Sequence, residues 1–172
     1  SKEQKIKIEK FIDLAVEFNK THNIFSRNKE RDVYIKDILD CAPLTRHIKT
    51  NQTVLDLGSG GGFPGILLAI TRPNNKVSLV ESSKKKGYFL RKTKEDLCLT
   101  NVKIINKTII KKNTFGVFDV ITARAFANTK KILDITKHNT HPKTKYLLLK
   151  GKKTTINKEL KDIDNKRYKY EI

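Results

Sequence analysis

Five glycines lie within eight residues of this chain, directly after a short apolar segment. The apolar segment is Val54 to Leu57, and the run that follows reads Gly-Ser-Gly-Gly-Gly-Phe-Pro-Gly from Gly58 to Gly65. Glycine lets the backbone adopt positive φ and lets a ligand approach bare main chain, while the amides that open a following helix carry a partial positive charge. A strand that ends in such a turn, with a helix leaving it, is typical of a nucleotide-type cofactor site.

A carboxylate follows the next apolar run. Residues 76–80 read Lys-Val-Ser-Leu-Val, and the run ends on Glu81. An acidic side chain at the tip of the second strand is placed to accept hydrogen bonds from both hydroxyls of a ribose. We therefore expect Glu81 to bind the sugar of the cofactor.

The register of the glycines separates two kinds of cofactor. The pattern G-x-G-x-x-G from Gly60 is the dinucleotide fingerprint, and D-x-G-x-G-x-G from Asp56 is typical of S-adenosylmethionine sites. A dinucleotide-binding strand turns at its first glycine, yet this strand already turns at Gly58. Asp56, one residue inside the strand end, suits a ligand that carries the ammonium of a methionine moiety. We favour S-adenosylmethionine; a dinucleotide and a tight turn without a ligand are the alternatives.

Length and composition restrict the class of protein. A chain of 172 residues forms one domain with a substantial core, and we expect a helical extension (1–50) packed on a core (51–172). No segment has the apolar length of a membrane span or of a signal peptide, which predicts a cytoplasmic protein, and we expect a monomer. Cys41 and Cys98 lack Cys or His neighbours at ligand spacing, so neither a disulfide framework nor a metal site is indicated.

The charge of the chain points to nucleic acid. Lysine and arginine number 37 against 18 acidic residues, a formal net charge of +19 that attracts polyanions. Thirty of the 37 are lysine, so AT-rich codon usage is an alternative cause. Basic residues recur near the expected cofactor side, where a solvated helix face would have a similar sequence: Lys84, Lys85, Lys86, Arg91, Lys92 and Lys94. A second basic group is Arg27, Lys29, Arg31 and Lys150.

The periodicity of apolar residues predicts an α/β fold. Two amphipathic helices, around 8–18 and 33–42, precede the first strand. From residue 53 onward strands alternate with helices, which predicts a mostly parallel sheet with helices on both faces. The predicted strands are 54–57, 77–81, 102–106, 118–122 and 146–150, and the helices between and after them are 65–71, 84–97, 129–137 and 156–163. Ligands bind beyond the carboxyl ends of such strands, where the glycine turn, Glu81 and Arg124 would meet.

These motifs, in this order, resemble the bacterial small-subunit ribosomal RNA methyltransferase G family from about residue 11 to residue 151. The matching pieces are Asn19-Lys20-x-x-Asn23, Ile38-Leu39-Asp40, the glycine run with its Phe63-Pro64-Gly65 ending, Arg72-Pro73, Glu81-Ser82-x-x-Lys85-Lys86-x-x-Phe89-Leu90, Thr122-Ala123-Arg124-Ala125 and Leu149-Lys150-Gly151. The resemblance implies a Rossmann-like class I S-adenosylmethionine-dependent methyltransferase fold. It also implies methyl transfer to N7 of a guanine in the 530 loop of 16S rRNA, on the small ribosomal subunit.

The resemblance also implies roles for single residues. It places Gly58 and Phe63 on the cofactor, Ile109 and Ile110 at the adenine end, and Arg124 near the methionine moiety or the incoming base, as the candidate catalytic residue. The full expected cofactor-binding set is Asp56, Gly58, Gly60, Gly62, Phe63, Glu81, Ile109, Ile110 and Arg124. The expected RNA contacts are Lys85, Lys86, Arg91 and Lys150. An ion pair for Arg124 and a solvated strand end for Lys150 are the alternatives.

Three features depart from the family pattern. Ile110 stands where the family usually has an acidic residue, and Lys36-Asp37 replaces a common Arg-His pair. The family continues into further strands after 168–172, so we expect C-terminal strands of the fold to be missing. Ile110 and the altered Lys36-Asp37 pair motivate an alternative function, an RNA- or ribosome-binding protein that keeps the fold without catalysis. An NAD-dependent oxidoreductase is a third hypothesis, resting on the dinucleotide fingerprint alone.

Overall fold

The computed structural model describes residues 1–26, 29–164 and 166–172. Its described strands form one sheet of five, in the order β3-β2-β1-β4-β5, and every pair is parallel. The strands are β1 (Thr53–Leu57), β2 (Lys76–Val80), β3 (Val102–Ile105), β4 (Phe118–Arg124) and β5 (Thr140–Leu149). The order reverses beside β1, because β2 lies on one side of it and β4 on the other. This is a doubly wound sheet, whose ligands bind where the order reverses.

Helices connect these strands and precede them. The helices are α1 (Lys2–His22), α2 (Glu30–Val33), α3 (Leu39–Cys41), α4 (Gly65–Thr71), α5 (Lys84–Asp96), α6 (Thr129–Ile135) and α7 (Lys153–Leu160). A π turn (Tyr34–Ile38) joins α2 to α3, and a 3₁₀ turn (Ala42–His47) follows. The second predicted N-terminal helix is thus a single helical segment whose hydrogen-bond register changes along its length. None of the described helices is both long and apolar enough to cross a lipid bilayer.

Alternation along the strands divides the core into two layers. Val54 of β1 packs with residues of α1 and α4 on one face of the sheet, whereas Leu55 and Leu57 pack with Ile132 of α6 on the other. Successive side chains of a strand point to opposite faces, so each strand contributes to both layers. The predicted α/β class, with helices on both faces of a parallel sheet, is confirmed.

The helical N-terminal segment packs directly on the first layer. Phe11 of α1 is fully buried, and its ring centroid lies 4.8 Å from that of Phe63, in the glycine turn. Phe18 of α1 lies 5.0 Å from Phe89 of α5 by the same measure. Residues before the first strand therefore support the turn at its end. The division of the chain at residues 50 and 51 stays a prediction.

The last strand differs from its prediction. β5 begins at Thr140, six residues before the predicted start at 146, and pairs with β4 across a register shift between Phe118 and Val120. The early part of β5 contains Pro142, which breaks the usual strand pattern. Proline is tolerated on an edge strand because one side of the strand makes no ladder hydrogen bonds. The sequence pattern therefore predicted a shorter strand than the one that forms.

We predict that Phe11→Ala destabilises the fold by about 3–5 kcal/mol, because it removes a fully buried ring and leaves a cavity between α1 and the glycine turn. The free energy of unfolding from urea titration measures this loss. Ile6→Ala is the control, since Ile6 lies on the same helix with 54% of its surface exposed, and its effect should stay within about 0.5 kcal/mol. Equal losses in both variants would contradict the packing of α1 on the turn.

Candidate functional site

The glycine turn connects β1 to α4 at the carboxyl edge of the sheet. Gly58, Gly60 and Gly62 have φ of 66°, 54° and 90°, a backbone region that other residues rarely adopt. The backbone N–H groups of Gly58 and Ser59 both donate to the carbonyl of Val80, at 2.9 and 3.1 Å. These two hydrogen bonds fix the turn, which follows β1, to the end of β2.

Only Gly60 among the five glycines of the turn has open space where a side chain would stand. A Cβ at Gly60 would have the carbonyl oxygen of Gly58 as its nearest neighbour, at 3.6 Å. A Cβ at Gly58 would collide with the ring of Phe126, and one at Gly62 with Ile66 and Phe11. At Gly58 and Gly62 neighbouring side chains already fill the space that a Cβ would need. At Gly60 that space is open, so a ligand can approach the turn there.

Glu81 lies beside Gly60 at the end of β2 and is almost fully buried. One carboxylate oxygen accepts the N–H of Gly60 at 2.9 Å, and the other accepts the N–H of Ser83 at 2.8 Å. Asn106, directly after β3, donates through its side-chain amide to the carbonyls of Glu81 (2.7 Å) and Ser83 (3.2 Å). The carboxylate thus stands next to the open glycine, as a ribose-binding residue requires, and it also fixes the backbone around itself.

Asp56 makes its hydrogen bonds inside the protein. Its carboxylate is fully buried and accepts hydrogen bonds from the N–H of Gly65 (3.2 Å) and the hydroxyl of Thr122 (2.9 Å). Burial raises the pKa of Asp56 to about 6, and these hydrogen bonds offset only part of the effect. Asp56 thus holds the start of α4 against β4 from inside the protein, and its expected contact with a ligand ammonium stays a prediction.

Arg124, at the end of β4, reaches across to the N-terminal helical segment. Its guanidinium lies 2.6 Å from the carboxylate of Asp37 (Nη2 to Oδ1) and 5.4 Å above the ring centroid of Phe63. The side chain of Asp37 is only 3% exposed and that of Arg124 20%, while Asp40, at 3.9 Å, is largely exposed. Arg124 is therefore held at the turn by an ion pair and an aromatic ring. Phe63 itself is buried between Phe11 and Arg124.

The two isoleucines expected at the adenine end lie in the connection from β3 to β4. Ile109 is buried in the second core layer, and Ile110 is exposed. Asn113 donates to the carbonyl of Ile110 at 3.0 Å and exchanges hydrogen bonds of 2.8 Å with Asn139. Of the two, only Ile110 has a side chain that is accessible to a ligand in solvent.

Comparison with known proteins decides the family. The profile of the family described as rRNA small subunit methyltransferase G matches residues 4–170. A protein named ribosomal RNA small subunit methyltransferase G, from Brachyspira hyodysenteriae, is 36% identical over 171 residues, which cover 98% of this chain and 82% of the relative. One of the same name from Chromobacterium violaceum is 33% identical over 84% of this chain and 69% of its own length. This chain belongs to the rRNA small subunit methyltransferase G family.

Solved structures agree on the fold. A precorrin-6y C5,15-methyltransferase from Geobacter metallireducens superposes with a TM-score of 0.58 at 13% identity, over 72% of this chain and 66% of that one. An S-adenosylmethionine-dependent methyltransferase from Thiobacillus denitrificans, in complex with S-adenosyl-L-homocysteine, superposes with a TM-score of 0.54 at 17% identity, over 79% and 53%. The Rossmann-like methyltransferase fold predicted from the sequence is confirmed.

The expected RNA contacts of this member of the methyltransferase G family fall into two groups. Lys85 and Arg91 are exposed on α5, and Lys86 is half-buried. Lys150 is different: its ammonium donates to the carbonyl of Ala127 (2.6 Å) and pairs with Glu159 (2.9 Å). Lys150 is thus bonded within the protein rather than at a solvated strand end, and its expected role as a phosphate contact stays a prediction. Arg27, of the second basic group, lies outside the described residues.

Sequence reasoning missed two residues that build the site. Asp37 stood out only as a departure from the family pattern, yet it pairs with Arg124. Asn19 holds the chain after α1, because its side-chain oxygen accepts the N–H groups of Ile24 (2.7 Å) and Phe25 (3.0 Å). The ring of Phe25 then covers Gly61. The motif Asn19-Lys20-x-x-Asn23 was the available signal for Asn19, but nothing local in the sequence links Asp37 to Arg124.

No group of three or more His, Cys, Asp and Glu side chains with metal-binding geometry occurs among residues 1–26, 29–164 and 166–172.

We predict that Asp37→Asn lowers the free energy of unfolding by about 2 kcal/mol, because it removes the charge from a buried carboxylate bonded to a guanidinium. Urea titration at low salt measures the change. Asp40→Asn is the matched control, since Asp40 lies farther from the same guanidinium and is exposed, and it should cost less than about 0.5 kcal/mol. A loss for Asp40→Asn as large as for Asp37→Asn would show that Asp37 does not hold Arg124.

Proposed function

We propose that this protein transfers the methyl group of S-adenosylmethionine to N7 of a guanine in the 16S rRNA of the small ribosomal subunit. One observation carries the proposal: a chain of the methyltransferase G family has a glycine turn that opens at Gly60, with the carboxylate of Glu81 beside it. The named relatives act on small-subunit rRNA, and the net charge of +19 suits such a polyanion.

The cofactor would lie against the turn at the carboxyl edge of the sheet. Glu81 would accept hydrogen bonds from the ribose hydroxyls, because each of its oxygens can accept more than the one backbone bond that it has now. Ile110, exposed in the connection that follows β3, would contact the adenine. Bound S-adenosylmethionine supplies an electrophilic methyl group on a sulfonium.

The residues around the reacting atoms have to position the guanine, but they do not have to remove a proton from it. Guanine N7 carries an in-plane lone pair and no proton at neutral pH, so attack on the methyl group requires no general base. Alignment of two reactants can contribute about 7–11 kcal/mol in the best model systems. Arg124 would orient the base through O6, or bind the carboxylate of the cofactor, with donors that its pair with Asp37 leaves available.

Transfer of a labelled methyl group tests this function. Purified protein is incubated with S-adenosylmethionine and either unmodified 30S subunits or naked 16S rRNA, and the nucleosides are then separated by mass spectrometry. The proposal expects 7-methylguanosine in the 16S rRNA of at least one of the two substrates. Cofactor binding without transfer to either substrate would favour the alternative, a catalytically inactive RNA-binding protein.

We predict that Glu81→Ala weakens S-adenosylmethionine binding at least tenfold, since hydrogen bonds to a charged group contribute about 1.5–3 kcal/mol. Isothermal titration calorimetry measures the dissociation constant. Glu95→Ala, which removes an exposed carboxylate on α5, controls for the change in net charge and should leave the constant unchanged. An unaltered constant in Glu81→Ala would place the ribose elsewhere.

A further inference from the structure

An exposed tyrosine lies at the centre of a basic helix face. Tyr88 of α5 has 56% of its surface exposed. Residues three and four positions away on a helix are its neighbours on the surface, and all four of these positions are basic and exposed: Lys84, Lys85, Arg91 and Lys92. We call these five residues the Tyr88 face. Lys84 and Lys92 are about 12 Å apart along the helix axis, by the helical rise.

The ring of Tyr88 is supported from α1. Its centroid lies 6.1 Å from that of Phe18, whose ring packs on Phe89 beneath the face at 5.0 Å. His22 stacks on Phe18 at 4.0 Å with an angle of 11° between the ring planes. The tyrosine is thus the outer, exposed member of an aromatic cluster between two helices.

The acidic residues of α5 itself lie at its C-terminal end, which is distant from the glycine turn. Lys92 pairs with Asp96 at 2.9 Å, and Glu95 is exposed beside it. Arg91 donates to the side-chain oxygen of Asn106 at 3.4 Å. At the other end, α5 starts at Ser83, whose N–H is bonded to Glu81. The face therefore extends from the edge of the cofactor site outward, with its positive charge at the inner end.

We propose that the Tyr88 face binds an unpaired stretch of RNA, with one base stacked on the tyrosine ring and the adjoining phosphates on the basic side chains. This inference rests on the proposed function for the identity of the polyanion. Aromatic stacking needs a base that has left the duplex, because paired bases stack on each other. Proteins that bind single strands combine cationic grooves with such stacking rings.

Binding of a labelled single-stranded RNA of about ten nucleotides, measured by fluorescence anisotropy at constant salt, tests the face. Tyr88→Ala should weaken binding about fivefold to a hundredfold, the range for removing one stacking ring. Tyr88→Phe should bind within about twofold of the wild type, because the ring and not the hydroxyl makes the contact. Tyr170→Ala, which removes another exposed tyrosine near the C-terminal end of the chain, should have no effect.

Each outcome bears on the proposal. Unchanged binding in Tyr88→Ala, an equal loss in Tyr88→Phe, or no RNA binding by the wild type would overturn it, as would an equal loss for duplex RNA of the same sequence. Methyl transfer by the wild type, assayed in parallel, separates the two ideas. If the wild type transfers methyl groups but Tyr88→Ala binds RNA normally, the RNA-binding role of the Tyr88 face is wrong and the proposed function stands. If Tyr88→Ala loses RNA binding but the wild type transfers nothing, the face stands and the function is wrong.

Discussion

The carboxylate of Glu81 holds together the two loops on which the site depends. It accepts the N–H of Gly60 in the glycine turn and the N–H of Ser83 at the start of α5. Hydrogen bonds to an ionised acceptor are roughly twice as strong as neutral ones. Because Ser83 also caps α5 by accepting the N–H of Lys86, one side chain fixes the open glycine and the helix that carries the Tyr88 face. The proposed cofactor site and the Tyr88 face are thereby positioned relative to each other.

The helical N-terminal segment completes the same edge of the sheet. Phe11 supports Phe63 from below, Phe25 covers Gly61, and Asp37 holds Arg124 from the side. Each contact joins a residue before β1 to a residue of the turn or of β4. An α/β core of this kind binds its ligands beyond the carboxyl ends of the strands. In this protein the helical segment before β1 packs against that edge, and its residue Asp37 holds the guanidinium of Arg124 there.

Local patterns predicted the elements well where periodicity and turn residues agree. The predicted helix 65–71 matches α4 at both ends, because the glycine turn marks its start and a buried apolar run fills it. The start of β5 could not be predicted, since an edge strand tolerates the proline that a sequence pattern excludes. Asp56 and Lys150 were expected to face ligands, but their partners Thr122 and Glu159 come from distant segments. The sequence around a residue does not indicate a partner that is distant along the chain. The pair of Asp37 and Arg124 was missed for the same reason.

Calorimetric titration of S-adenosylmethionine into Gly60→Val tests the central claim, that the turn at Gly60 is the cofactor site. Gly116→Val is the matched control, because Gly116 also has positive φ (102°) and open space around it but precedes β4 at the opposite edge of the sheet. Both variants place a β-branched residue at positive φ, which costs on the order of 1–3 kcal/mol, and circular dichroism checks that each is folded. The account predicts that Gly60→Val abolishes measurable binding while Gly116→Val retains the affinity of the wild type. Binding to Gly60→Val with unchanged affinity would contradict it.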